Sequence, residues 1–200
     1  MSDRVEDLSR AFERFPGIGP RQARRVVYHL LSLPIAERTR ISDLVSRLAE
    51  NVRQCPECMR YANGNGPSCS YCTDTSRDNA ILLVVEKDQD LLAVERAGAY
   101  KGRYFVLGGV LTLSGKGVIR EKELLRAIDA RVKSGLSEIV LAHSATREGE
   151  NTGDQNRHLL LPYREKVKIT KLGRGLATGS ELEYSDAETL SGALQNRKET

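Results

Sequence analysis

Four cysteines, Cys55, Cys58, Cys69 and Cys72, constrain this chain more than any other feature, because the segment around them has almost nothing else with which to fold. Residues 54–79 are rich in Cys, Gly, Asn, Ser and Asp and nearly free of apolar residues, so a hydrophobic core cannot order them. The cysteines form two Cys-x-x-Cys pairs with ten residues between them, a spacing that suits one tetrahedral zinc ion. All four cysteines of the chain are used. Four thiolates leave no open position for water or substrate, so the expected cofactor is one structural Zn2+ per chain. The alternative is a pair of disulfides, which oxidising compartments favour. The start of the sequence is charged and carries no secretory pattern, which makes reduced, metal-bound thiolates the expectation.

No run of apolar residues approaches the roughly 20 needed to cross a bilayer, so a soluble, cytoplasmic, nucleoid-associated protein with no membrane contact is expected. The formal net charge of +4 suits an anionic partner, and its placement matters more than its size. Between Arg14 and Arg40 six arginines face one acid, Glu37, leaving the rest of the chain close to neutral. Tryptophan is absent, which argues against a platform for stacking unpaired bases and for contact with the nucleic-acid backbone.

Helical spacing over Val5, Leu8, Phe12 and Phe15 is broken by Pro16-Gly17-Ile18-Gly19-Pro20, and a second helix starts at Pro20. Ala23, Val26, Val27, Leu30 and Leu31 make its inward stripe, and Pro34 ends it. A third helix is expected from Ile41 to Val52. This pattern looks like a helix-hairpin-helix element. Glycines at 17 and 19 permit backbone N–H groups to converge on a phosphate at a helix N-terminus, while Arg21, Arg24 and Arg25 add charge. Such a geometry holds DNA without reading bases. The competing reading is an ordinary helical hairpin with a solvated basic face.

Beyond the cysteines, Ala80 to Val85 is a continuous apolar run of strand length, as in a strand covered on both faces. Strand-like runs at Tyr104–Leu107, Glu138–Ala142 and Val167–Leu172 alternate with helical patterns at Asp90–Ala99, Glu121–Ser134 and Gln155–Arg164. The fold class is therefore α/β and multidomain: an N-terminal helical hairpin, a small zinc module, a parallel-sheet α/β domain and a C-terminal extension with a short helix at Ala187–Leu194. Glu86 stands at the end of the buried strand, where ligands of open parallel sheets bind, and Glu148 and Glu150 follow a later strand. Together these resemble the toprim domain of topoisomerases and primases. Those enzymes carry an Asp-x-Asp pair where this chain reads His143-Ser144-Ala145-Thr146-Arg147-Glu148-Gly149-Glu150, and no placed tyrosine supplies a nucleophile. A solvated acidic patch, a weak cation site and a partner contact all remain open for these acids. The Gly109 to Gly117 stretch is one residue too long for a phosphate-binding loop and lacks its Ser or Thr, so a glycine-rich turn is expected. His29, His143 and His158 have no partner at recognisable spacing and are read as structural.

Four blocks in order, Phe15–Leu31, Cys55–Cys72 followed by Arg77-Asp78, Val84-Val85-Glu86, and Gly173–Leu176 through Leu182–Tyr184, resemble the RecR family of recombination mediators over nearly the whole chain. The resemblance implies a non-enzymatic, clamp-like homotetramer that encircles DNA and acts with RecO and RecF to load recombinase on single-stranded gaps. It implies that Gly17, Gly19, Arg21, Arg24 and Arg25 line the DNA path, that Cys55, Cys58, Cys69 and Cys72 hold zinc, and that Glu86, Glu148 and Glu150 lie on the surface meeting the partner. The implied divisions are 1–53 for the hairpin region, 54–79 for the zinc finger, 80–175 for the toprim domain and 176–200 for oligomer contacts. The altered Ser144–Arg147 stretch and the loop after Val110 depart from the family pattern. Two rivals remain, a magnesium-dependent toprim nuclease and a DNA-binding adaptor unrelated to recombination.

Overall fold

Asp3 accepts a hydrogen bond from the Val5 N–H, and from that cap α1 runs from Arg4 to Phe12. The computed structural model describes residues 3–197 and separates into two compact units, one ending at Val52 and one beginning at Arg53. In the first unit α1 packs on α2 (Pro20–Ser32), whose buried positions are Ala23 and Val27. The expected stripe was broader. Val26 and Leu31 are exposed instead, because only a narrow band of α2 lies against α1. The third helix also differs from expectation: α3 spans Ile35–Ser46, six residues earlier than the apolar spacing suggests. Pro34 stops α2 and also opens α3, since its carbonyl accepts the Glu37 and Arg38 N–H groups. Val52, expected on the helix, joins a strand.

That strand, β1 (Val52–Gln54), pairs with β2 (Tyr61–Asn63) across the first cysteine pair, and α4 (Ser70–Thr73) carries the second. The main sheet follows. Its strands are β3 (Asp78–Val85), β4 (Gly102–Val106), β5 (Glu138–Ala142) and β6 (Lys168–Lys171), in the order β4-β3-β5-β6 and all parallel. Helix α5 (Asp88–Ala97) lies on one face, and α6 (Glu121–Val132) on the other. Leu82 and Val84 pack with Leu124 and Ile128, while Leu83 and Val85 pack with Leu91. Both faces of β3 are thus covered, which is why its sequence is apolar without alternation.

Helix α7 (Arg147–Leu159) replaces the expected helix at 155–164 and is followed by a 3-10 turn at Leu161–Tyr163. Thr146 caps it by accepting the Gly149 N–H at 3.1 Å. Gly149 and Gly153 hide the helix from a periodicity reading, yet each is needed where the helix meets the end of β5. A Cβ at Gly149 would overlap the Ser144 carbonyl, and one at Gly153 would lie 2.9 Å from the His143 ring. The chain closes with a 3-10 turn at Leu182–Tyr184 and α8 (Ala187–Gln195), capped by Asp186.

Candidate functional site

Three groups of residues carry chemistry. In the first unit, the Phe15 N–H bonds back to Phe12 and the Ile18 N–H to Phe15, and Gly17 takes φ +78°, closing a tight bend before α2. Gly19 caps α2 without a side chain, Pro20 has no N–H, and the first helical bond runs from Ala23 to Gly19. The Arg21 and Gln22 N–H groups therefore have no hydrogen-bond partner among the described residues. Space around the bend is open, with nothing within 4 Å of a Cβ built on Gly17 or Gly19. Arg21, Arg24 and Arg25 share a helical face and are exposed, and the first turn holds no acid. Arg24 is drawn to Glu6 at 3.4 Å, whereas Arg21 and Arg25 have no ion-pair partner among the described residues.

The second group is the cysteine cluster. Sulfur atoms of Cys55 and Cys72 lie 3.8 Å apart, those of Cys58 and Cys69 3.6 Å apart, and all four sit within 4.8 Å of one another. A tetrahedron with metal–sulfur bonds of about 2.3 Å has edges of roughly 3.8 Å, so the four thiols match the shape that zinc requires. The knuckle is locally built. Met59 takes φ +61° so that its N–H reaches the Cys55 carbonyl, the Cys55 N–H reaches Arg60, and the Cys69 N–H points at the Cys55 sulfur. Hydrogen bonding from Cys58 holds the Cys69 thiol well below its ordinary pKa, while the same bond and burial push Cys58 up. A divalent cation removes that conflict by letting all four ionise.

Sequence reasoning missed the cations that fix this module in place. Arg103, 7% exposed, donates to Asn79 Oδ1 at 2.7 Å and to the carbonyls of Tyr71 and Cys72. Arg77 pairs with Glu95 at 2.6 Å and stacks over Tyr71, and Arg120 reaches the Met59 and Val106 carbonyls. Arg77 stands in the Arg77-Asp78 pair that follows the cysteines, whereas no motif or spacing marks Arg103 or Arg120.

The third group lies at the C-terminal end of the sheet. Glu86, expected on an exposed surface, is only 5% exposed, and its Oε1 accepts the Ser144 N–H at 2.8 Å and the Ser144 hydroxyl at 2.7 Å. Parallel register aligns the ends of β3 and β5 and brings the two residues together. Glu148 is exposed on the first turn of α7, and Glu150 pairs with Arg174 and, at 3.7 Å, with Lys171. The three acids border one region, but among the described residues only the four cysteines form a cluster with metal-ligating geometry. His143 is half-buried beside Asn156, and burial lowers its pKa against the opposing pull of Glu86 and Asp90. His29 and His158 are exposed. The Gly109–Gly117 stretch forms a turn, closed by the Thr112 N–H on Lys116 and the Gly115 N–H on Thr112.

Family models match the hairpin unit, the sheet region and the C-terminal segment. A family model described as "RecR, helix-hairpin-helix" covers residues 5–50, "Toprim domain" covers 80–173, and "RecR, C-terminal" covers 175–198. Curated relatives named "Recombination protein RecR" are similar over almost their full length. One from a Ruegeria species is 41% identical, covering 98% of this chain and 96% of the relative. Those of Chlorobium luteolum and Saccharopolyspora erythraea are each 38% identical, covering 98% and 97% of this chain and 97% and 96% of the relatives. No helix among the described residues is long and apolar enough to cross a membrane.

Proposed function

This chain belongs to the RecR family of recombination proteins, and on that premise we propose that it is a non-enzymatic mediator of recombinational repair that holds DNA through its N-terminal hairpin. The observation that carries the reading is the open glycine bend. Two unpaired N–H groups at the start of α2 and the unpaired guanidinium groups of Arg21 and Arg25 supply donors, positive helix-end dipole and charge at one place. A sugar-phosphate chain satisfies all three, and no element of the bend distinguishes bases.

One zinc ion held by Cys55, Cys58, Cys69 and Cys72 orders the start of the second unit and supplies no reaction, since four thiolates close its coordination. The mediator assembles as a clamp-like homotetramer in the cytoplasm, at the nucleoid, and acts with RecO and RecF type partners. Residues 80–175 form the toprim domain, and 176–200 supply subunit contacts. Glu148 offers the exposed carboxylate for partner contact, with Glu86 and Glu150 setting the start of α7 beside it. A magnesium-dependent nuclease is disfavoured by the occupations of the acids: Glu86 is taken up by Ser144, and Glu150 by Arg174 and Lys171.

Charge reversal at Arg21 and Arg25 together tests the DNA reading. Binding is expected to weaken for all sequences alike, and the slope of log K against log salt to flatten by roughly one unit per lost phosphate contact. An unchanged slope places DNA elsewhere. Magnesium-dependent nicking by the wild type that Glu86→Gln abolishes would establish the nuclease instead.

A further inference from the structure

The parallel sheet has two edges, and they end differently. At the β4 edge the Val106 N–H donates to the Cys58 carbonyl at 2.8 Å, and Arg103 covers the carbonyls of Tyr71 and Cys72, so the cysteine module closes it. The β6 edge has no neighbouring strand among the described residues. Its Lys168 N–H donates to the Ser137 carbonyl at 2.8 Å and the Leu172 N–H to the Leu141 carbonyl at 3.3 Å, so alternate residues face β5. The N–H and C=O groups of Ile169 and Lys171 therefore point outward, and neither N–H has a hydrogen-bond partner among the described residues.

Beside this edge lies a groove of about 440 Å³ bounded by the end of α7, the turn at Leu161–Tyr163 and β6. Leu161, Val167 and Ile169 contribute an apolar floor, and Arg157, Arg164 and Lys168 stand along it with no carboxylate among the lining residues. Arg157 has Asp154 at 3.3 Å, but Arg164 and Lys168 have no ion-pair partner among the described residues. Leu161 and Leu172, 48% and 50% exposed, bracket the strand.

A row of unpaired strand groups is a template for another strand. The cations select what can add: two copies of this edge would set like charges against each other, whereas an acidic strand meets opposite charge. An extended peptide alternating acidic and apolar residues uses every feature at once. Its backbone pairs with Ile169 and Lys171, its apolar side chains reach the floor, and its carboxylates meet Arg164 and Lys168. A phosphate backbone would use the cations alone and leave the strand groups and apolar floor without partners. We propose that the β6 edge is a docking site for an acidic, apolar-containing extended segment of a partner protein, bound by strand addition.

The test uses the full, metal-loaded chain and a fluorescent peptide of about eight residues, alternating aspartate with leucine or isoleucine. Binding is expected by anisotropy, with slowed deuterium exchange at the Ile169 and Lys171 amides. Arg164→Glu with Lys168→Glu, both at exposed positions, is expected to weaken it about tenfold. N-methylation of alternate peptide bonds should abolish it, because the added strand loses its donors. Charge reversal at Arg21 and Arg25 should leave peptide binding intact, which separates this inference from the hairpin reading. No slowed exchange on β6, or unchanged affinity in the double variant, overturns the proposal. So does displacement of the peptide by a single-stranded oligonucleotide whose own binding falls in that variant, since the groove would then be a phosphate site.

Discussion

Arg103 keeps a permanent charge almost wholly out of water by directing its donors to one side chain and two carbonyls of the cysteine module. Removing a buried charge's partners or the charge itself leaves desolvated groups unpaired. Arg103→Met is expected to lower stability by about 3 kcal/mol in chemical denaturation, with Arg103→Lys recovering part, because one ammonium cannot span three acceptors. His143 makes a separate prediction. Burial lowers its pKa below 6.5, and its Nδ1 is buried without a partner among the described residues, so the folded state favours the neutral ring. The unfolded chain then binds the proton more readily, and the contribution is present above roughly pH 6.5 and lost as pH falls below it. Melting temperature should therefore fall more steeply on acidification from about pH 7.5 to 5.5 in the wild type than in His143→Gln.

At the level of elements, α7 shows how a helix can be invisible in sequence and still be required. Its glycines weaken the helical signal, but they let the first turns pass close to the end of β5, where Ser144 and His143 already occupy the space. A methyl group at Gly149 would meet the Ser144 carbonyl and come within 3.0 Å of Glu86 Oε1. Gly149→Ala is therefore expected to destabilise by about 2 kcal/mol despite alanine's better helix propensity, as read by urea unfolding. The sheet edges obey the same logic of coverage. β4 is buried at every position because the cysteine module and the helices close around it, whereas β6 is buried at none, with Lys168 and Lys171 exposed and Ile169 and Thr170 half-buried.

Across the whole molecule, the cysteine cluster takes the place of a core for residues 54–79, so metal removal should act well beyond the four thiolates. Chelation is expected to lower the thermal transition and solubility, and Cys→Ser at any one ligand should do the same without chelator. Calorimetry with and without added zinc measures it; retained stability in the metal-free sample would separate the module's order from metal. The cysteine spacing, the apolar run of β3 and the proline-glycine bend were legible from sequence, because a metal shell, a doubly covered strand and a left-handed turn each demand particular residue types at short range. Helix α3 was misplaced because one proline both ends a helix and opens the next, which spacing alone does not separate. The burial of Glu86, the ion pairs of Glu150, the anchoring by Arg77, Arg103 and Arg120, and the contrast between one closed sheet edge and one open one were decided only in three dimensions. Each depends on groups distant in sequence meeting at one point, and a polar side chain reads the same in sequence whether it will face water or a carbonyl it has yet to meet.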